Sequence, residues 1–240
     1  MASISMLRMN IIITISMPDN PLALSRLFQL ISPSLPIGSY TYSQGIEWAV
    51  EQGWIKTEQD LQDWLGGLLD TTQLYLELPL LIRMMQAWQA ADQDALTYWN
   101  SYLLASRETA ELRQEELNRA RAFAQVIISL QEGAMVFKPQ LIRSQHACFS
   151  YACVAWGVTQ EQACYGLLWS WLENLALSAI KIIPLGQTAG QQVVFKLSEK
   201  FPQIIAQALT LQDDDIGASS MALAIASSRH ETQYTRLFRS

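Results

Sequence analysis

Residues 162–190, QACYGLLWSWLENLALSAIKIIPLGQTAG, constrain the fold more than any other stretch of the chain. Cys164, Leu168, Trp171, Leu175, Ala179 and Ile182 step by three and four, which marks one apolar face of an α-helix. Leu167, Trp169, Leu172, Ala176, Leu177 and Ile180 spread that apolar character around most of the circumference. A helix with that pattern is buried at the centre of a protein. The exception is one polar line, Ser170, Asn174, Ser178 and Lys181, again at helical spacing, with Glu173 beside it. Pro184 ends the helix and Gly186 releases the chain into a turn. Buried polar groups need a hydrogen-bonding partner or water. Three readings of the line therefore stand: a solvent seam along which Lys181 reaches out, an internal polar channel, or an interface.

The rest of the chain is patterned to pack around such a helix. Leu24, Leu27, Phe28 and Ile31 make a short amphipathic helix stopped by Pro33 and Pro36, and Ser39 is a candidate N-cap for a helix to about Glu51. Thr57 with Asp60 resembles a capping box opening a helix through Leu68, and further helices are expected over Leu74–Ala90 and Gln93–Ala105. Arg107–Leu130 is the longest and most charged; its Glu and Arg residues at i,i+3 and i,i+4 read as a solvated face. Pro139 and Gly157 bound a helix of about 140–156, and Gly186 and Gly190 bracket a turn. Val193-Val194-Phe195 has strand propensity, but helical surroundings favour a helix over Gln191–Glu199. Pro202–Leu211 is amphipathic, Asp213–Asp215 an acidic loop, and Gly217–Ser227 a helix of small residues. With no sustained alternation, the fold class is all-α: a single domain of roughly ten helices, 21–227, packed around a central buried helix. Residues 1–20 read as a poorly ordered appendage and 228–240 as a tail.

Composition excludes several functions. Half the residues are hydrophobic and 16% charged, so there is a core to build. A net charge of −6 argues against nucleic acid, which needs a basic footprint. The run Asn10–Met17 is too short for a membrane span, which takes about 20 residues. Cys148, Cys153 and Cys164 lack CxxC spacing and read as reduced core residues of a cytoplasmic protein. No P-loop, HExxH or histidine cluster is present, so neither nucleotide, metal nor cofactor is expected. His146 and Cys148 stand two apart on a helix and do not face each other, and His230-Glu231 reads as exposed. No catalytic residue is assigned, and the chain is not expected to be an enzyme.

Ser228–Ser240 concentrates three arginines in an acidic protein, interleaved with Tyr234, Leu237 and Phe238. It is either a frayed end or an interface hot spot, the reading its arginine and aromatic content favours. The segment Leu35–Glu47, with Tyr40, Tyr42, Ser43 and Glu47, is either a packed turn or a partner surface.

Three blocks, LPIGSYTYSQGIEWAV (35–50), WLENLALSAIKIIPLGQTAGQ (171–191) and SRHETQYTRLFRS (228–240), with Ser106–Ala110 and Gly53-Trp54 in support, resemble the urease accessory protein UreF family. The resemblance implies an all-α, homodimeric, non-catalytic scaffold. Such a scaffold binds the UreD-type (also called UreH) accessory protein and recruits the GTPase UreG, and the assembly delivers nickel to apo-urease. Carried onto this chain, it places partner-binding roles at Tyr40, Tyr42, Ser43, Glu47, Arg229, His230, Glu231, Tyr234, Arg236, Leu237, Phe238 and Arg239. It places a water-filled nickel conduit or positioning groups at Ser170, Asn174, Ser178, Lys181 and Gln187. Where family members often carry Met-Gly in the following helix, this chain has Arg119-Ala120, which puts close packing there in question. Two alternatives are a direct regulator of the partner's GTPase activity through Arg229 or Arg239, and, from another class, an all-α small-molecule-binding protein or hydrolase.

Overall fold

The computed structural model describes residues 20–240, apart from the side chain of Gln187. The expected N-terminal appendage lies, Asn20 excepted, outside the described residues. Asn20 itself belongs to the fold, its side chain accepting the amides of Leu22 and Ala23 to cap α1 (Pro21–Ile31). Next come α2 (Ile46–Glu51), α3 (Glu58–Leu68), α4 (Leu78–Gln89), α5 (Gln93–Ala105), α6 (Ala110–Leu130) and the single turn α7 (Lys138–Leu141). They are followed by α8 (Gln145–Ala155), α9 (Gln160–Ile182), α10 (Gln187–Ser198), α11 (Phe201–Ala208) and α12 (Met221–His230). No strand occurs among the described residues, so the all-α reading holds, and Val193–Phe195 is helical within α10.

Helix α9 is the axis of the molecule. It packs against α1, α2, α4, α8, α10 and α11. A capping box of Thr159 and Gln162 starts it, and it ends at Ile182, two residues before Pro184. Its inner residues, among them Leu168, Leu172, Leu175 and Ala179, are buried, whereas Tyr165 and Trp169 surface on one flank. Gly190 does not flank a turn: it sits inside α10, where a Cβ would lie 2.9 Å from Cγ2 of Ile180 on α9.

Two expected helices, ending at Leu68 and beginning at Leu74, are one continuous rod. A π-helical segment, Leu69–Glu77, joins α3 to α4. Thr71 and Thr72 turn their hydroxyls back onto the carbonyls of Gly67 and Leu68, four residues earlier. Pro79 has no N–H for the carbonyl four residues earlier, so Tyr75 O accepts the amide of Gly217 instead, at 2.8 Å. The irregularity thereby turns Thr72, Gln73 and Glu77 into the interior.

Ser39 does not cap α2. It begins a short 3₁₀ turn, Ser39–Thr41, and α2 starts after Gly45. Gln44 and Gly45 both take positive φ, 50° and 79°. Glycine is required at the second, because a Cβ there would sit 2.9 Å from Ser227 N and 3.0 Å from Ala226 Cβ. This close approach seats α12 on α2.

Candidate functional site

The tail is anchored on one side and bare on the other. Residues 228–230 continue α12, and the chain then folds back over α2. Glu47, expected at a partner surface, is buried and clamps the tail: Oε1 accepts Leu237 N at 2.6 Å and Oε2 accepts Phe238 N at 2.9 Å. Ser43 donates its amide (2.7 Å) and its hydroxyl (2.6 Å) to Ser240 O, and Arg239 N donates to Thr41 O. Tyr42 is buried too, its carbonyl 3.3 Å from Ser178 Oγ on α9. The structure thus places Tyr42, Ser43 and Glu47 under the tail.

His230 corrects the sequence reading most sharply. Instead of lying exposed, it has no accessible surface and stands between two carboxylates, Nδ1 2.6 Å from Glu111 Oε2 and Nε2 3.2 Å from Glu47 Oε2. Each ring nitrogen thus faces one carboxylate oxygen, so the imidazole bridges α2 and α6 from inside. Arg236 pairs with Glu111 at 2.6 Å, and Glu231 caps α6 by accepting the amides of Ala110 and Glu111. Phe238 is buried, with Lys181 Nζ 5.8 Å from its ring centre in a cation–π contact. Arg229, Tyr234, Leu237 and Arg239 face outward, as does Tyr40 at the start of the first block, and Tyr234 is fully exposed.

The second correction concerns α6, whose charged face is not all solvated. Glu115 and Glu116 are both buried. Arg107 bridges Glu77 on the π-helical segment and Glu116, the latter at 2.8 Å. Gln145 N donates to Glu116 at 2.7 Å, and the His146 ring lies 3.2 Å from Glu77 Oε2 and 3.9 Å from Glu116 Oε1 without a hydrogen bond at either nitrogen. Burial is the largest single influence and would raise the Glu116 carboxyl, but the Arg107 charge, the adjoining His146 and the Arg107 hydrogen bond together outweigh it and hold the group well below the usual carboxylate range. The i,i+4 spacing on α6 is real, as in Arg119 to Glu115 at 2.9 Å, yet spacing cannot say which face a second helix covers. The Arg-Glu-Thr segment was the available signal: Thr109 caps α6 and meets Ser227 Oγ at 2.8 Å. Ala120 is fully buried, so the chain accommodates it in the packed helix.

The polar line on α9 lines two cavities. One, of about 70 Å³, has walls that include Gln73, Glu77, Arg107, Glu116, His146, Ser170 and Asn174. The other, of about 130 Å³, has walls that include Leu30, Ile37, Phe149, Glu173, Asn174, Ser178 and Lys181. Ser170 and Asn174 border both, as do Arg119 and Gln145. Ordered water needs only about 10–15 Å³ of such space, so both are roomy enough to hold it. The side chain of Gln187 lies outside the described residues. Among the described residues no cluster of His, Cys, Asp and Glu is arranged to hold a metal, and no helix is long and apolar enough to cross a membrane. The three thiols are buried, and burial pushes that of Cys164 up to about 12. None is a nucleophile at neutral pH.

Residues 55–198, more than half the chain, match the family model described as UreF. The urease accessory protein UreF of Alcanivorax borkumensis (strain SK2) is 50% identical over 228 residues, 92% of this chain and 100% of that protein. The proteins of the same description from Pseudomonas putida (strain W619) and Teredinibacter turnerae are each 45% identical, over 92% and 90% of this chain and 100% and 98% of theirs.

Proposed function

Because the chain belongs to the UreF family of urease accessory proteins, we propose that it is a non-catalytic scaffold for urease maturation. In this role it binds a UreD/UreH-type accessory protein and recruits the GTPase UreG for nickel insertion into apo-urease. The two-sided tail carries the reading. Buried Glu47, Ser43 and His230 hold its backbone still, while Arg229, Tyr234, Leu237 and Arg239 stay bare. Aromatic and arginine side chains held rigidly at low entropic cost are what interface hot spots are made of. Tyr234→Ala with Leu237→Ala is expected to abolish co-purification of the UreD-type partner while thermal stability stays within a few degrees of the parent. Undiminished co-purification refutes the surface.

A second reading, a polar passage through the molecule, is supported by the two adjoining cavities along Ser170, Asn174, Ser178 and Lys181. The line from Ser170 to Lys181 spans about 16 Å of helix. In the assembled complex it would carry nickel as cargo.

A further inference from the structure

The two cavities meet at Arg119. Its side chain lines both, is mostly buried, and is pinned across the boundary: one terminal nitrogen donates to Glu115 at 2.9 Å and the other to Ser39 Oγ at 3.1 Å. The first cavity is acidic, with Glu77, Glu108, Glu115 and Glu116 outnumbering Arg107 and Arg119, and the second ends at Lys181. A fixed guanidinium between them opposes any small free cation moving out of the acidic side. Arg119 is also wired to the tail. The Glu115 carboxylate that holds it takes Gln44 Nε2 at 3.1 Å on the same oxygen, and Ser240 Oγ at 2.8 Å on the other. Ser240 and Glu115 are both buried, so only water held in the cavity could stand in for a lost donor.

We infer that Arg119 is a charge gate between the two cavities, and that the seating of Ser240 on Glu115 holds the gate shut. Displacement of the tail by a docking partner would free Glu115 to turn, draw Arg119 off the boundary and join the cavities. The inference rests on the passage and tail readings above, but its test needs neither partner nor metal.

The probe is a thiol at the boundary, Ser170→Cys, in the full-length chain; among the described residues the Ser170 hydroxyl bonds only to Leu167 O of its own helix, so the exchange breaks no bond to another described element. Alkylation of the introduced thiol by 2-bromoethylammonium is followed by mass spectrometry against neutral iodoacetamide. Adding Arg119→Leu, or separately Ser240→Ala, is expected to raise the cation's rate about tenfold relative to the neutral reagent, the low end of electrostatic effects on encounter in charged clefts. Arg119→Lys, which keeps the charge, should stay slow. A cation-to-neutral ratio unmoved by Arg119→Leu overturns the gate. A ratio raised by Arg119→Leu but not by Ser240→Ala overturns its coupling to the tail. Failure of the tail or passage readings would appear instead in co-purification or in urease activation.

Discussion

At the scale of single residues, this protein keeps a small set of its charges inside. Arg107 pairs with both Glu77 and Glu116 where little solvent reaches, and the trio joins the π-helical segment to α6 beside His146 on α8. Removing one member of a buried pair leaves an uncompensated charge, so Arg107→Met should destabilise by about 3–5 kcal/mol in chemical denaturation. Glu116 also sets a pH dependence whose sign is fixed. Its folded-state pKa is depressed, so its contribution is present above the unfolded value of about 4.3 and is lost as pH falls below it. The stability gap between the parent and Glu116→Gln is therefore expected to be flat from about pH 6 to 8 and to shrink below about pH 4. A gap that widens on acidification contradicts the pairing. None of these partners was legible in the sequence, because a carboxylate 39 residues from another, as Glu77 is from Glu116, carries no mark of its neighbour.

Elements were legible where local chemistry decides them. The capping box at Thr57 and the long apolar α9 follow from spacing alone. The π-helical bridge does not, because the pattern reads as two helices, one through Leu68 and one from Leu74 with Pro79 in its first turns. Only the interior they reach, and the amide of Gly217 that serves Tyr75 O, make the continuous rod favourable. The Gln44-Gly45 turn is a second tertiary decision, and it can be weighed. Gly133 has φ 81° and open space for 4 Å around the point a methyl would occupy, so Gly133→Ala meets backbone strain alone, about 1 kcal/mol. Gly45→Ala meets similar strain at φ 79° and also collides with Ser227 N and Ala226. It is expected to lose at least about 2 kcal/mol more, or roughly 4–8 °C in Tm for a chain of this size. It should also increase hydrogen exchange in α12 and the tail. Equal losses at the two glycines would show that α12 is not held at this contact.

At the scale of the whole molecule, the tail and the first block, far apart in sequence, form one anchored edge, and α9 carries the polar line behind it. The sequence marked all three stretches, yet it could not assign inner and outer faces: Glu47 and His230 look as hydrophilic as Arg229 and Tyr234. Only packing separates them. The passage along α9 is tested at Ser178, which is 1% exposed, borders the larger cavity and donates its hydroxyl to Asn174 O at 2.9 Å. Ser178→Ala removes a hydroxyl whose main acceptor is a carbonyl of its own helix, so assembly and urease activation should remain near parental. Ser178→Leu pushes apolar bulk into the cavity, and overpacking of this kind costs about 1–3 kcal/mol, which a domain of this size tolerates. If cargo crosses here, the Leu variant should co-purify with its partners in normal yield and yet activate apo-urease at least about tenfold less well, a barrier of ~1.4 kcal/mol. The pair of variants separates blocking from loss of the hydroxyl. Normal activation by Ser178→Leu in an intact complex would leave the polar line a structural seam, and nickel would have to travel by another surface.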